Sequence, residues 1–504
     1  MTLDELLKIV AGHGRTAVRL DSRQVSPGDV FAAVPGSACD GHDFIGQAIT
    51  AGAKYIVCEH AVDGVGPGQA QLIVVDDSAR AAGVLAQAAS GYPSSKLTNL
   101  AVTGTNGKTT VAFLVRRCIQ RAGHKCGLIG TVEYDNCSGT IADSTLTTPD
   151  CLAIAELTRQ MVDNGARYMV TEASSHALSQ NRLAGIDFRA AAFTNLTGDH
   201  LDYHKTKQEY LAAKTRLFEQ LSPDATAVLN TDSPESQQIA RKTQASVLWY
   251  GIDARRRADL VARIRSMDTT GTAFVLEQWQ HKVELKTPLL GRHNVSNCLA
   301  AAGLCLAAGL DLETIAAGLS SAQIIPGRLD KVDWPGEFSV LIDYAHTDDA
   351  LKNVLTTLKP LCKGKLILVF GCGGDRDRTK RPRMARVAEE LADFIIVTSD
   401  NPRTEDPLAI IEEIVAGFGK PPAVQSDSAR NTQYAIRNTI LVEPDRRKAV
   451  ALAIENARKD DVVLIAGKGH ENYQIIGTQK FHFSDKEVAL QCLENLDRQE
   501  KVER

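Results

Sequence analysis

The sequence predicts an α/β protein with three domains: an N-terminal α/β domain, a central parallel-sheet domain of the P-loop type, and a C-terminal Rossmann-like domain. Its 504 residues correspond to about three domains of roughly 150 residues each. Residues 100–131 have the pattern strand, glycine turn, helix, strand, which is the βαβ unit of a parallel sheet. We therefore place the domains at residues 1–95, 96–325 and 326–504.

The N-terminal domain is predicted from short apolar runs that alternate with alanine-rich helical segments. These runs are Val30–Val34, Tyr55–Cys58 and Leu72–Val75. The first residues, MTLDELLKIVAGHGRT, lack the continuous apolar region of a signal peptide, and their spacing favours an amphipathic helix. The turn-forming residues Gly91–Ser95 mark the end of this domain.

The central domain continues with further strands and closes with helices. We expect strands at Arg167–Ala173, Ala190–Leu196 and Thr226–Asn230, a β-rich segment at about 245–290, and a helical segment from about 294 to 322. The turn Ile325–Arg328 marks the second boundary.

Several strands predicted in the C-terminal domain run directly into polar or glycine-containing segments. Their sequences are SVLIDYAH, KLILVFGCGG, DFIIVTSDNP and DVVLIAGKGH. Because open parallel sheets bind ligands at the carboxyl ends of their strands, we expect these segments to form a binding site.

Composition argues against several classes of function. Lys and Arg total 57 against 61 Asp and Glu, so a formal charge of −4 offers no basic excess for nucleic acid or an anionic membrane. The 11 cysteines are scattered without metal-ligand spacing, as in a reducing compartment. No apolar stretch reaches the roughly 18 residues of a membrane span. We expect a cytoplasmic monomer whose anionic ligands are held by local sites.

The strongest local motif is Gly104-Thr105-Asn106-Gly107-Lys108-Thr109-Thr110, between a predicted strand and a predicted helix. Its backbone amides can surround phosphate oxygens, Lys108 can neutralise the outer phosphates, and the Thr109 hydroxyl can bind Mg²⁺. Val102 replaces the first glycine of the usual P-loop pattern, which argues against a standard P-loop GTPase. The alternative is a glycine turn with an incidental surface lysine, which fits the flanking strand and helix less well.

Three more residues could complete a metal site. Glu172 ends a buried strand, where a carboxylate could bind Mg²⁺ directly or through water, although solvated acids are also common there. His200 lies in a polar loop, where a histidine is more often only hydrogen-bonded. Lys214 lies on the apolar side of a predicted helix. It could extend its ammonium to solvent, or react with carbon dioxide to give a carbamate that binds a second Mg²⁺, and composition does not distinguish the two.

In combination, these motifs resemble the Mur ligase family, the ATP-dependent amide-bond-forming enzymes of peptidoglycan precursor synthesis. Within the family, the resemblance is strongest to members that add diaminopimelate. It spans essentially the whole chain through the ordered segments LDSRQVSPGDVF, TGTNGKTT, LTTP, EASSHALSQNR, FTNLTGDHLDYH, YLAAKTRLF, GRHNVSN, IPGRLDKV, DYAHTDDAL, GCGGDRDRTKRP, DNPRTEDP and AGKGHENYQ.

The resemblance implies a role for residues in each domain. Leu20 and Ser22 would contact the uridine diphosphate of a nucleotide-sugar substrate. The muramoyl dipeptide would be bound by Thr147, Thr148, Ser174, Gln180 and Arg182. The ATP phosphates and two Mg²⁺ ions would be bound by Lys108, Thr109, Glu172 and His200, with Lys214 as a carbamylated lysine. The adenine and ribose side would be formed by Asn294, Arg328 and Asp343, with His346 near the domain interface.

The motif Asp400-Asn401-Pro402-Arg403 is the part of the resemblance that indicates which amino acid is added. In the family, DNPR accompanies meso-diaminopimelate, whose distal end carries a carboxylate that lysine lacks. A guanidinium at Arg403 offers a planar fork of donors for that carboxylate. Arg376, Gly467 and Glu471 complete the acceptor site by resemblance, with Glu471 suited to the distal ammonium.

The implied reaction joins meso-diaminopimelate to UDP-N-acetylmuramoyl-L-alanyl-D-glutamate through an acyl phosphate made with ATP. Two alternatives stay open: an L-lysine-adding or other Mur-type ligase such as a folylpolyglutamate synthetase, and a P-loop ATPase switch without ligase chemistry. The sequence also departs from common family patterns. Asp348 stands where proline is frequent, which we expect to alter only a helix start, and Leu146 stands where some members have asparagine, which could remove one substrate contact.

Overall fold

A computed structural model of the chain describes residues 1–12, 16–36, 39–61, 69–198, 201–252, 258–419 and 439–503. The predicted fold class is confirmed: a large, mostly parallel central sheet lies between separate N-terminal and C-terminal α/β domains. Of the residues expected to form a site, His200 lies outside the described residues. Within the described part of the chain, no helix has the length and apolar character needed to cross a membrane.

The N-terminal domain is a parallel sheet in the order β1-β2-β3-β4 covered by short helices. Its elements are α1 (Leu3–Gly12), β1 (Val18–Arg19), β2 (Val30–Ala32), α2 (Ile45–Thr50), β3 (Tyr55–Cys58), β4 (Gln71–Val74) and α3 (Ser78–Ala89). Helix α1 is amphipathic as predicted, because Leu6 and Val10 are buried while Asp4 and Glu5 face solvent. The same apolar core includes Cys151 and Ala155 of the central domain, so the two domains pack together.

The first part of the central domain contains the predicted phosphate loop. Its elements are β5 (Thr98–Thr103), α4 (Lys108–Arg121), β6 (Cys126–Ile129), β7 (Glu133–Asp135), β8 (Ile141–Asp143), α5 (Cys151–Asp163), β9 (Tyr168–Glu172), α6 (Ser175–Ser179), β10 (Phe188–Phe193), α7 (Leu201–His204), α8 (Lys207–Glu219) and β11 (Thr226–Asn230). The strands expected near 167–173, 190–196 and 226–230 are therefore present as β9, β10 and β11.

The second part adds the predicted β-rich edge, and the helical segment expected at about 294–322 consists of two helices. Its elements are α9 (Ser236–Ala240), β12 (Ser246–Gly251), β13 (Leu260–Asp268), β14 (Gly271–Gln278), β15 (His281–Thr287), α10 (Arg292–Ala307) and α11 (Leu312–Ser320). The central sheet has the order β15-β14-β13-β12-β11-β10-β5-β9-β6-β7-β8. Strands β13 to β6 in this order are parallel, and antiparallel pairing of β14 and β15 at one edge and of β7 and β8 at the other extends the sheet.

Both faces of strand β5 are buried, which fixes the phosphate loop at its carboxyl end. Leu100 and Val102 pack in one apolar cluster with α4 and α10, while Ala101 belongs to the cluster on the opposite face. Strand β9 lies between β5 and β6 in the sheet, so the acid at its end lies beside the loop that follows β5. A continuous apolar run is typical of such a doubly covered parallel strand.

The C-terminal domain is a second mostly parallel sheet, in the order β16-β17-β21-β18-β19-β20. Its elements are β16 (Asp330–Lys331), β17 (Ser339–Asp343), α12 (Asp348–Leu358), β18 (Leu366–Phe370), α13 (Lys380–Leu391), β19 (Phe394–Val397), α14 (Pro407–Val415), β20 (Thr439–Val442), α15 (Arg446–Asn456), β21 (Val462–Ala466), β22 (Tyr473–Ile476), β23 (Gln479–His482) and α16 (Asp485–Glu503). Strands β17, β21, β18 and β19 run parallel, so the segments that follow them meet at one edge. Helix α12 starts at Asp348 after the capping Thr347, so aspartate is accommodated at this helix start.

Candidate functional site

The phosphate loop forms a tight turn between β5 and α4. Gly107 has φ +91°, and a Cβ there would lie 2.3 Å from Asn297 Oδ1, so the position requires glycine. The loop is tied to the strand beside it, because the Asn106 amide donates to Asn195 Oδ1 at 3.0 Å. Lys108 Nζ donates to the carbonyls of Gly104 and Thr105, both at 3.0 Å. A lysine and a helix N-terminus at one loop are suited to a polyphosphate.

Glu172 lies beside Thr109 at the end of β9 and is fully buried. Thr109 Oγ1 donates to Glu172 Oε2 at 3.0 Å, and Thr131 donates to the same carboxylate through its amide and its hydroxyl. A carboxylate and a hydroxyl at a phosphate loop are the hard oxygen donors that Mg²⁺ prefers. Among the described residues, no group of three or more His, Cys, Asp or Glu side chains could hold a metal alone. Thr109 and Glu172 would therefore suit a Mg²⁺ ion that also binds a phosphate ligand.

Lys214 points from α8 to the phosphate loop. Its side chain is 1% exposed, and Nζ donates to the Gly104 carbonyl at 2.9 Å while lying 4.3 Å from the centre of the Tyr210 ring. Of the two alternatives left open by the sequence, extension of the ammonium to solvent is therefore excluded in this arrangement. The nitrogen instead donates to the same Gly104 carbonyl that accepts from Lys108 Nζ.

A cavity of about 150 Å³ lies between the phosphate loop, α10 and the C-terminal domain. Its lining includes Asn106, Gly107 and Thr110 of the loop together with Asn294, Arg328 and Asp343. Burial raises the pKa of Asp343, although the charge of Arg328 and the amides of Leu329 and Ala345 lower it. The described part of the chain provides no acceptor for the buried Nε of Arg328, which leaves that donor for a ligand. The residues expected to bind adenine and ribose are thus brought together.

Arg328 links the C-terminal domain to the phosphate loop. Its Nη2 donates to Thr109 Oγ1 at 3.2 Å, and its guanidinium lies 4.8 Å from the centre of the Tyr344 ring. A second contact between these domains joins Asn106 Nδ2 to Asp349 Oδ2 at 3.0 Å.

The residues expected to bind the muramoyl dipeptide form one hydrogen-bonded network beside Glu172. Thr148 Oγ1 donates to the Glu172 carbonyl at 2.7 Å and lies 3.1 Å from Ser174 Oγ. Arg182 donates to the Thr148 carbonyl and to Gln180 Oε1. Thr147 Oγ1 lies 3.0 Å from Thr131 Oγ1, which connects this network to the metal side of the site.

Leu20 and Ser22 lie apart from these residues, in the N-terminal domain. Leu20 packs against the core of that domain, and Ser22 Oγ donates to Gln47 Oε1 at 2.9 Å. Neither lines the cavity next to the phosphate loop or the larger cleft, as far as the described residues define them.

A larger cleft of about 630 Å³ separates the central and C-terminal domains. Of the residues expected to bind the acceptor, it is lined by Arg376, Asp400, Asn401, Arg403, Gly467 and Glu471. Pro402 is not among the described residues that line it, and its carbonyl accepts from the Glu405 amide at 3.1 Å. The wall from the central domain includes Thr147 and Leu146, so Leu146 lies where a ligand of the cleft would pass.

Arg403 is held in an unusual backbone conformation at the edge of this cleft. Its φ is +53°, and its amide and carbonyl are both hydrogen-bonded to the β22–β23 hairpin, through the Ile475 carbonyl at 3.1 Å and the Gly477 amide at 2.7 Å. Its Nη1 donates to the Gly374 carbonyl at 2.8 Å. A non-glycine residue in the left-handed region is a strained feature that often marks a functional site.

Two carboxylates in the cleft have opposite pKa shifts. Burial raises the pKa of Asp400, but the charges of Lys468 and Arg446 outweigh it and hold that pKa below its usual value. Burial and the charge of Asp400 together raise the pKa of Glu471. Groups with opposed shifts in one cleft are typical of a functional site.

Sequence reasoning missed several residues that contact this site. Asn297 packs against Gly107, Thr131 donates to the Glu172 carboxylate, and Lys468 donates to Asn401 of the acceptor site. Asn297 could have been found, since it follows Asn294 by one helical turn. Lys468 lies within the recognised segment AGKGHENYQ and Thr131 ends the first βαβ unit, but nothing in the sequence distinguishes either from a structural residue.

Domains described for one family match most of the chain. Residues 16–90 match the Mur ligase family catalytic domain, residues 102–305 match the Mur ligase middle domain, and residues 327–469 match the Mur ligase glutamate ligase domain.

Similar proteins include UDP-N-acetylmuramoyl-L-alanyl-D-glutamate–2,6-diaminopimelate ligases from several bacteria. The protein from Geobacillus thermodenitrificans is 44% identical, with 94% of each chain covered. The protein from Bacillus licheniformis is 42% identical, with 95% of this chain and 94% of that protein covered. The protein from Gloeobacter violaceus is 44% identical, with 94% of this chain and 92% of that protein covered.

Solved structures share the whole architecture. A structure of a UDP-N-acetylmuramoyl-L-alanyl-D-glutamate–2,6-diaminopimelate ligase is 33% identical, with a TM-score of 0.66 and 95% of each chain covered. MurF ligase from Thermotoga maritima in complex with ADP is 18% identical, with a TM-score of 0.61 and coverage of 96% of this chain and 99% of that one. At 18% identity, the similarity to MurF ligase shows a shared fold only.

Proposed function

The chain belongs to the Mur ligase family, and from this premise we propose that it is an ATP-dependent ligase that adds meso-diaminopimelate to UDP-N-acetylmuramoyl-L-alanyl-D-glutamate. One observation carries the proposal. Tyr344 and His346 line both the cavity next to the phosphate loop and the larger cleft. A nucleotide in the first and an amino acid in the second would therefore meet at a shared wall.

The first step is activation of the donor substrate. Its D-glutamyl carboxylate attacks the γ-phosphorus of ATP, the bond from that phosphorus to the bridging oxygen of ADP breaks, and an acyl phosphate forms. Lys108 at the phosphate loop stabilises the charge on the transferred phosphoryl group. Bound Mg²⁺, held by Thr109 and Glu172, would supply further charge neutralisation on the phosphates.

The second step forms the amide. The free amine of diaminopimelate attacks the acyl carbon, and the tetrahedral intermediate loses inorganic phosphate and a proton. Because water would hydrolyse the acyl phosphate, the two domains must close over it, and Arg328 already contacts the phosphate loop across their interface.

We assign selection of the acceptor amino acid to contacts between the cleft and the distal end of diaminopimelate. Arg403 would pair with the distal carboxylate, and Glu471 would pair with the distal ammonium. Lysine would leave the guanidinium of Arg403 without its carboxylate partner. Arg376, Asp400, Asn401 and Gly467 complete this end of the cleft, while Pro402 supports its loop.

We assign one task to each domain: residues 1–95 bind the uridine diphosphate through Leu20 and Ser22, residues 96–325 bind ATP and activate the carboxylate, and residues 326–504 deliver the amino acid. The network of Thr147, Thr148, Ser174, Gln180 and Arg182 would hold the dipeptide between the first two. The protein would act in the cytoplasm as a monomer.

A second Mg²⁺ ion is part of the proposal and depends on Lys214. Reaction of Nζ with carbon dioxide, with loss of two protons from the ammonium, would give a carbamate whose single negative charge is shared by two oxygens, and His200 would join them as a ligand. Mass measurement of intact protein in high bicarbonate tests this, with an added mass expected in the wild type and not in Lys214→Gln. Equal masses would contradict it.

A ligation assay tests the proposed function. Purified protein is supplied with ATP, Mg²⁺, the nucleotide-sugar dipeptide and either meso-diaminopimelate or L-lysine. We expect product and phosphate release that require all substrates, with preference for diaminopimelate. Preference for lysine would contradict the role of Arg403, and ATP hydrolysis independent of both the dipeptide and the amino acid would contradict a ligase.

A further inference from the structure

The back of the larger cleft contains a fully buried lysine. Lys468 follows β21, and its side chain is 0% exposed. Its Nζ donates to Asn401 Oδ1 at 2.9 Å and to Asp400 Oδ1 at 3.1 Å, and it lies 3.4 Å from Glu471 Oε2. One ammonium therefore joins two separate loops, and its three N–H groups are matched by three acceptors. It has no donor left for a substrate.

The residues held by Lys468 are themselves linked. Asn401 Nδ2 donates to Glu471 Oε2 at 2.8 Å, so Lys468 and Asn401 hold the same carboxylate oxygen. Gly467, directly before Lys468, has φ +115°, and a Cβ there would lie 3.2 Å from Asp400 Oδ2. The position of Asp400 against β21 is thus fixed on both sides.

The charges in this group do not balance. Asp400 and Glu471 carry two negative charges when ionised, and Lys468 carries one positive charge. The nearby Arg446 is already paired with Asp485 at 2.7 Å, and both are 0% exposed. One negative charge therefore remains on the pair Asp400 and Glu471, and both carboxylates line the cleft. A partly buried site with one uncompensated carboxylate favours a single ammonium ligand.

We propose that Lys468 is a positioning residue for the acceptor amino acid: it holds Asp400, Asn401 and Glu471 together and keeps the Glu471 carboxylate ionised to receive the distal ammonium. The proposal rests on the proposed function, since it concerns the same acceptor. Without Lys468, two carboxylates would face each other in a buried place, and such pairs retain a proton. The pKa of Glu471, which burial and the charge of Asp400 already raise, would rise further, and the carboxyl group would bind an ammonium more weakly.

Other groups also act on these carboxylates and must be considered in any pH profile. They are Tyr344, His346, Cys372, Arg446 and Tyr473, and Arg403 acts in turn on Tyr473. All of them are retained when Lys468 alone is replaced, so a shift between the wild type and the variant reports on Lys468.

The test is the pH dependence of kcat/KM for diaminopimelate, from pH 6 to 9.5, in wild type, Lys468→Met and Lys468→Arg. In Lys468→Met we expect the KM for diaminopimelate to rise at least about tenfold at pH 7, and the acidic limb of the profile to move up by about one pH unit or more. The loss should be partly recovered at high pH, where Glu471 ionises. Lys468→Arg keeps the charge and should keep the limb near its wild-type position.

The matched control is Lys459→Met, which removes an exposed lysine of the same domain that lies 3.4 Å from Glu337. The positioning role would be overturned if the acidic limb of the pH profile stayed in place in Lys468→Met. It would also be overturned if the KM for ATP and for the nucleotide sugar rose as much as the KM for diaminopimelate, because that result would show a general structural role. The wild type separates the two proposals: if it ligates diaminopimelate, such a result overturns the role of Lys468 alone. If it does not, the proposed function fails, and the assignment of Lys468 fails with it.

Discussion

Arg328 of the C-terminal domain donates to the hydroxyl of Thr109 in the phosphate loop, at 3.2 Å. The two residues are 219 positions apart in the chain, so this bond reports directly on how the domains meet. It places a guanidinium at the same hydroxyl that contacts Glu172. Nucleotide binding and domain position are therefore linked through one threonine.

Replacing Arg328 by Met should weaken ATP use more than folding. Charged hydrogen bonds contribute about 1.5–3 kcal/mol, so we expect kcat/KM for ATP to fall about 10- to 100-fold. The KM for diaminopimelate, measured at saturating ATP, should change much less. Arg328→Lys, which keeps the charge and loses the planar fork, should be intermediate. An unchanged kcat/KM for ATP would show that the Arg328–Thr109 contact has no part in nucleotide binding.

Replacing Lys108 by Ala should abolish activation of the donor. Lys108 now donates to two loop carbonyls, and phosphate oxygens would compete for the same N–H groups. Loss of its charge from the transition state should reduce ATP-dependent phosphate release by about 10²-fold or more. The matched control is Lys125→Ala, an exposed lysine beyond the end of α4 that donates to the Asn164 carbonyl. Preserved ligation in Lys108→Ala would contradict the assigned chemistry.

Much of the site follows from residues that come directly after predicted strands. The glycine loop after β5 and the acid that ends β9 are visible in the sequence, and parallel strands bring their carboxyl ends to one edge. What could not be predicted is the strand order that places β9 next to β5, since periodicity identifies strands without identifying their neighbours.

The contacts between domains could not be predicted from the sequence either. The Arg328–Thr109 and Asn106–Asp349 bonds depend on how separately folded sheets dock. Lys468 was hidden for a different reason: a lysine between two glycines is expected to be exposed, and only the three acceptors around Nζ explain its complete burial.

Arg403 should determine the choice between diaminopimelate and lysine. In Arg403→Leu the distal carboxylate loses its partner, so kcat/KM for diaminopimelate should fall about 10²-fold or more, while the low activity with lysine should change little or rise. Because Arg403 has φ +53°, a comparison of melting temperatures should accompany the kinetics. Arg403→Lys keeps a charge without the bidentate geometry and should recover only part of the loss. Equal losses for both amino acids would contradict a role in selection.

Two partly buried histidines, His293 and His470, should make the fold sensitive to acid. Burial, together with the charge of Arg328, lowers the pKa of His293 and of His470 to about 4. The unfolded chain protonates histidine below about pH 6.5, so between pH 6.5 and 4 the unfolded state binds more protons. The free energy of unfolding should therefore fall as pH falls through this window, by up to about 3 kcal/mol for each histidine.

Thermal or denaturant unfolding between pH 4 and 7.5 checks this dependence. Carboxylates also titrate in the window, so the informative quantity is the difference between wild type and His293→Gln or His470→Gln. Each variant should lose less stability on acidification than the wild type does. Parallel curves would mean that these histidines do not contribute to the acid sensitivity.

The buried pair Arg446–Asp485 should be a large single contributor to the stability of the C-terminal domain. Arg446 donates through Nε to Asp485 Oδ1 at 2.8 Å and through Nη2 to Oδ2 at 2.7 Å. Removing one partner leaves an uncompensated buried charge, so Asp485→Ala should lower the free energy of unfolding by about 3–5 kcal/mol. Denaturant unfolding followed by circular dichroism measures the change.

The double replacement Arg446→Met with Asp485→Leu distinguishes the charge from the packing. A well-packed apolar pair can be as stable as a buried ion pair, so the double variant should recover much of the loss. Its acceptor binding should not recover, because Arg446 also donates to the carbonyl of Ala466 at 2.9 Å and its charge helps keep the pKa of Asp400 low. Without that charge Asp400 competes with Glu471 for Lys468, and the KM for diaminopimelate should stay high in a stable protein. If stability and acceptor KM recover together, Arg446 acts on the fold alone.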